Sequence, residues 1–212
     1  MTPQELDVAL KEIRRTRNLL VFLGFMPIMY LLVTGISIMM MSSGDVDFDM
    51  SMRIETMSWI IITLVVSVVL LFNIFRPNRY IIRLAKVGLK CYAIGFLLFF
   101  VYSVIILIDI LGPIEIRPIE IRFIEKILLL VIGFAIYGGL ATFIVNVKVD
   151  LYQKITHGLF YVILLLTIVG VDMPIGVTAI SILAYPILSS YFAVKWAGKE
   201  FFAVMNGKNN EN

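Results

Sequence analysis

Six stretches of roughly 17 to 23 residues, nearly free of charge, punctuate this chain at about 19–41, 57–75, 87–108, 127–147, 155–171 and 175–196. Each is long enough for an α-helix to cross about 30 Å of hydrocarbon at about 1.5 Å per residue. No water reaches the backbone at that depth, so a crossing segment must satisfy its own N–H and C=O groups, and a helix does so. The expected fold is therefore all-α: a polytopic transmembrane helical bundle of six membrane-spanning helices. Only 16% of the 212 residues are charged and 60% are hydrophobic, against about 25% charged in a soluble domain. What the spans leave over is short loops and two short ends, too little for a separate soluble domain.

Residues 1–17 read as an N-terminal amphipathic interfacial helix. Thr2 stands at its N-cap, Pro3 at its first position and Glu5 three residues past the cap, the capping-box pattern. Leu6, Leu10 and Ile13 then recur on one face, as in a helix lying at a membrane surface; the alternative is a solvated helical extension of the first span. The first apolar run is full length and follows this polar segment, unlike a cleavable signal peptide, so it is expected to stay in the mature protein.

Between the spans, residues 42–56 form an acidic loop with Asp45, Asp47, Asp49 and Glu55. Arg76-Pro77-Asn78-Arg79 ends the second span, with the third helix starting near Tyr80 at the earliest. The near-repeat Ile114-Glu115-Ile116-Arg117-Pro118 and Ile119-Glu120-Ile121-Arg122-Phe123 alternates with period two, which suits an extended segment; Pro118 can equally open a helix leading into the fourth span. Asp172-Met173-Pro174 is so short that spans five and six must form an antiparallel hairpin. Residues 197–212 read as a cytoplasmic tail.

Orientation follows from lysine and arginine. Fourteen of the 18 fall on the side shared by the two termini, and only Arg53, Arg117, Arg122 and Lys126 fall on the other. The positive-inside bias puts both ends in the cytoplasm of a cell that carries this protein in its plasma or inner membrane. The basic residues flank the spans and form no contiguous patch, which argues against nucleic-acid binding.

Three constellations qualify as candidate sites. Arg79, Arg83, Lys86 and Lys90 share a stripe about 60° wide on an ideal helix, a surface for anionic lipid head groups or a cytoplasmic partner. Pro27 and Pro186 each remove a helical donor, at similar distances from the cytoplasmic ends of their spans. With Thr34, Ser37, Thr178, Ser181 and Tyr185 they would frame a cavity or hinge between spans one and six. Ser189, Ala193 and Ala197 on span six, and Ala135, Gly138, Gly139 and Thr142 on span four, are small-residue faces for close helix packing, inside the chain, in a homo-oligomer or in a larger membrane complex.

No catalytic, cofactor-binding or metal-binding motif is present. His157, the single histidine, cannot make an ordinary multi-histidine metal site and reads as interfacial. The single Cys91 permits no intrachain disulfide. No ionisable residue is expected near the middle of a span, which disfavours proton coupling. Two readings result: a membrane-embedded transport component, as permease or substrate-binding subunit for a small solute moved without proton coupling, or a non-catalytic scaffold subunit of a membrane complex. A lipid-modifying enzyme ranks third for want of clustered acid, base or metal ligands.

Overall fold

The structure, a computed structural model, describes residues 2–43, 48–111, 119–168 and 175–206. Six helices make up the described chain: α1 Pro3–Ser43, α2 Phe48–Phe75, α3 Arg83–Leu111, α4 Ile119–Asn146, α5 Leu151–Ile168 and α6 Ile175–Met205. Among the described residues the only β pairing is one antiparallel bridge between Ile81 and Val147. Among the described residues, four segments are long and apolar enough to cross a bilayer: Pro3–Met40, Met50–Phe75, Arg83–Ile108 and Ile127–Asn146. On α2, Ile61, Leu64, Val68, Phe72 and Phe75 form one uncovered apolar face. Water would penalise such a stripe and lipid would not. By length and composition, these helices fit a multi-pass membrane protein.

The helix boundaries refine several expectations. The capping box forms: Thr2 N donates to Glu5 Oε2 at 2.7 Å and Glu5 N to Thr2 Oγ1 at 3.3 Å. The helix it opens runs unbroken through Pro27, so residues 3–17 are the leading turns of α1 and not a separate element. Their buried positions are Ala9, Ile13 and Thr16, continued by Leu20 and Leu23. That spacing of four, three, four and three is a seam for packing on protein, whereas Leu6 and Leu10 are only half-buried.

Helix α2 begins at Phe48, which makes Ser51 to Glu55 helical instead of loop. Helix α3 begins at Arg83 because the backbone just before it is otherwise engaged. Asn78 Oδ1 accepts from Tyr80 N at 3.0 Å, Ile81 N donates to Asn78 O, and Lys148 N donates to Tyr80 O. Residues 119–126 are helical, so the extended reading fails after Pro118. Its first half, Ile114 to Pro118, lies outside the described residues, as do Asp45, Asp47, the Asp172-Met173-Pro174 connection and residues 207–212. Helix α6 continues to Met205, well past the expected end of its span.

The chain divides into two compact units. The first comprises Met1–Ile28, Arg76–Lys86 and Phe143–Asn212, and the second Met29–Phe75 and Val87–Thr142. In the first unit α5 and α6 pack together. Tyr152 stacks on Phe192, His157 meets Tyr185 edge-on, and Phe160 stacks on Tyr185 at 3.8 Å. Rising numbers on α5 meet falling numbers on α6, the antiparallel hairpin expected from the short connection. In the second unit α3 and α4 approach through glycine: a Cβ on Gly139 would clash with the Tyr92 backbone N and lie 2.8 Å from Gly88 O.

Candidate functional site

A polar side chain in a membrane helix can donate to the carbonyl one turn earlier or reach a neighbouring helix. Most of the described ones turn back. The hydroxyls of Thr16, Thr56, Ser58, Thr63, Ser67, Ser103, Thr142 and Thr156 donate to the carbonyl four residues earlier at 2.6–3.1 Å, and the Asn73 amide does the same to Val69. Two clusters of described bonds join apolar helices, one in each unit.

In the first unit, α1, α5 and α6 meet at a polar hub. His157 Nδ1 pairs with Tyr185 Oη at 2.6 Å, and His157 Nε2 with Gln153 Nε2 at 2.8 Å. Gln153 Nε2 also donates to Ser189 Oγ at 3.3 Å, and Ser189 Oγ donates to the Leu20 carbonyl at 3.4 Å. Gln153 and His157 stand one turn apart on α5, and Tyr185 and Ser189 one turn apart on α6, so each helix presents its pair on one face. The hub is closed: Gln153 and Ser189 are 0% exposed, His157 1% and Tyr185 3%. Gly24 on α1 permits the approach, since a Cβ there would lie 2.7 Å from Ser189 Oγ and 3.8 Å from Pro186 Cα.

One group in the hub is left over. Gln153 Oε1 is buried with no hydrogen-bond partner among the described residues, a state that costs about 1–3 kcal/mol. Turning the amide over exchanges which end is left out and does not fill both. Next to the hub, Pro186 has no N–H to give the Ile182 carbonyl.

The second cluster joins α1 to α2 in the second unit. Ser51 Oγ donates to the Ser37 carbonyl at 3.1 Å, and Thr34 Oγ1 donates to Glu55 Oε1 at 3.2 Å. Thr63 gives its single proton to the Trp59 carbonyl at 2.6 Å, so Tyr30 donates to Thr63 Oγ1 at 3.1 Å. Trp59 packs edge-on against Tyr30 and tilted against Phe99, with centroids 6.4 and 5.7 Å apart.

Outside the spans, the connection before α3 ties the first unit together. Asn78 Nδ2 donates to Thr16 Oγ1 at 2.8 Å, and Arg79 pairs with Glu12 at 3.6 Å. Tyr80 donates to Glu200 at 2.9 Å and lies edge-on to buried Trp196. Burial, with Glu200 holding its proton, pushes the Tyr80 hydroxyl up to about 12. Asp150 pairs with Lys199 at 2.7 Å, which raises the lysine above its ordinary range.

The expected site residues are therefore redistributed. Arg79 stands outside α3 and is bound by Glu12, leaving exposed Arg83, half-buried Lys86 and exposed Lys90 on that helix. Of the cavity set, Thr34 and the Ser37 carbonyl engage α2, Tyr185 engages His157, Pro186 adjoins Gly24, and Ser181 is half-buried. The Thr178 side chain lies outside the described residues. Ser189, Ala193 and Ala197 are all buried inside the first unit. In the span-four patch, Gly139 is buried, whereas Gly138 is exposed, and a Cβ added there would meet nothing within 4 Å.

His157, expected at the membrane interface, is buried inside the first unit. Sequence reasoning assigns Gln153, Gly24 and Trp59 no role and places Glu55 only in an acidic loop. The recoverable signal was the i, i+4 pairing of Gln153 with His157. Among the described residues no group of three or more His, Cys, Asp or Glu is placed to hold a metal ion. No protein-family model, no curated protein and no solved structure matches this chain.

Proposed function

We propose that this protein is a membrane-embedded transport component, a permease or substrate-binding subunit, for a small neutral or zwitterionic solute moved without proton coupling. The observation that supports this reading is the unfilled Gln153 Oε1 in a wholly buried polar hub beside Pro186, a proline inside α6. Polar sites at interrupted helices are where membrane transporters hold solutes, and a closed hub opens if α6 bends at its proline. All six helices cross the membrane in this reading, with α5 and α6 completing the set, and both termini face the cytoplasm. Arg83, Lys86 and Lys90 then meet anionic head groups at the cytoplasmic interface.

Reconstituted protein should take up at least one member of a panel of neutral and zwitterionic solutes. Gln153→Leu should abolish that uptake while leaving the protein monodisperse, and uptake should not follow an imposed proton gradient. Uptake unchanged by Gln153→Leu would refute the assignment of the hub. The scaffold reading is favoured by one observation, the uncovered α4 face of Leu130, Phe134, Gly138 and Val145. It requires stable co-purification with a larger membrane complex and no uptake of any solute.

A further inference from the structure

We propose that Glu55, Trp59 and Tyr30 form a binding site for an organic ammonium group carrying a nearby oxygen acceptor. The site uses none of the residues of the Gln153 hub and stands or falls separately from it. Glu55 lies inside the apolar helical segment Met50–Phe75. It stands near the head of that segment and is half-buried, where a carboxylate is favoured by a cationic partner. Its described partner is the hydroxyl of Thr34 at 3.2 Å, which supplies one hydrogen bond and no charge. Arg53, two residues away, projects from nearly the opposite side of the helix and is exposed. Among the described residues Glu55 has no cationic partner.

One turn deeper, Trp59 shares the Glu55 face, and its Nε1 is covered with no acceptor among the described residues. The cluster thus lacks two complementary things: a cation for the carboxylate and an acceptor for the indole N–H. Four helical residues separate them by about 6 Å along the axis, the reach of one small amino alcohol or zwitterion. The rings of Trp59 and Tyr30 add cation–π attraction for the ammonium. Both a free amine and the head group of phosphatidylethanolamine or phosphatidylcholine have this chemistry.

The test is calorimetric titration of the full-length protein in phosphatidylglycerol nanodiscs with ethanolamine and with ethylamine, which lacks the oxygen. Saturable ethanolamine binding is expected, weakened at least tenfold in Glu55→Gln and unchanged in Arg53→Gln. Trp59→Phe keeps a ring and removes the N–H, so it should erase the preference for ethanolamine over ethylamine. Exchange of phosphatidylglycerol for phosphatidylethanolamine separates the sources: a head-group ligand competes with ethanolamine, and a free-amine site is indifferent to the lipid. Absence of saturable binding together with absence of any Glu55-dependent thermal stabilisation by phosphatidylethanolamine would overturn the proposal. So would equal binding by Glu55→Gln, or, if that variant does not fold, an ethanolamine preference that survives Trp59→Phe. Absence of ethanolamine binding in a parent protein that still takes up solute leaves the transport reading intact and removes only this site.

Discussion

Replacing Gly139 by alanine tests the packing of α4 on α3. The added methyl would meet the Tyr92 backbone N, with Gly88 O at 2.8 Å and Tyr92 Cα at 2.9 Å. All three are main-chain atoms, so no side-chain rotation relieves the clash. Tyr92 is itself held, 2% exposed and edge-on to Phe96 at 4.9 Å. The helices must therefore separate along their contact, and the cost should reach the upper end of the overpacking range, about 3 kcal/mol. Gly138→Ala, one residue before it, is the control: nothing lies within 4 Å of its Cβ position, so alanine's helix preference should stabilise it by about 1 kcal/mol. For a chain of this size 1 kcal/mol moves the melting temperature by about 2–4 °C. Melting of purified protein in detergent should fall by about 6–12 °C for Gly139→Ala and rise by about 2–4 °C for Gly138→Ala. If Gly139→Ala melts within 2 °C of the parent, on the order of the assay's resolution for such a shift, the close approach of the two backbones is refuted.

Tyr185→Phe should destabilise the protein by about 1–2 kcal/mol, because His157 Nδ1 loses its 2.6 Å partner inside a closed hub; an unchanged melting temperature would show that the hub is not formed. The Tyr80 hydroxyl, raised in the folded state to about 12 from its ordinary 10, contributes stability that is complete below pH 10 and lost as pH rises towards about 12. Alkaline melting curves should show that loss in the parent and a smaller one in Tyr80→Phe. Reporter fusions at residues 1 and 212 should both report the cytoplasm; opposite sides would defeat the proposed even number of crossings.

The apolar runs were legible because lipid imposes one length and one backbone solution on anything that crosses it. The Thr2–Glu5 box was legible because every group it uses lies within four residues of sequence. The start of α3 was not, since Asn78, Tyr80 and Ile81 bond to Thr16, Glu200 and Val147. A helix over residues 79–90 would carry the whole basic stripe, but those distant partners draw Arg79 out of it. The loop reading of residues 48–55 fails for a related reason. Acidic residues suggest water, yet Ser51 and Glu55 find partners in α1.

Both polar clusters escape the sequence because their bonds, too, join residues far apart in the chain. A serine or threonine in a membrane helix looks identical whether it bonds its own carbonyl or a neighbour, and Ser67 and Ser189 differ only in that choice. Ser189 bonds outward because Gly24 lets the α1 backbone come within reach. The informative unit is thus the serine together with the glycine opposite it, two residues 165 positions apart in sequence. Residues that self-satisfy are interchangeable with alanine at little cost, whereas Gln153, His157 and Glu55 cannot turn back on the helix so cheaply and must be held by something specific. Where that something is incomplete, as at Gln153 Oε1 and Trp59 Nε1, the protein retains a buried polar group that packing alone would have removed. Trp59 Nε1 has no hydrogen-bond partner to lose among the described residues, so Trp59→Phe should not lower the melting temperature while it removes whatever the indole N–H binds. Gln153→Leu should lower it, because His157 Nε2 loses its 2.8 Å partner. A clear fall in stability with Trp59→Phe would make the indole N–H structural.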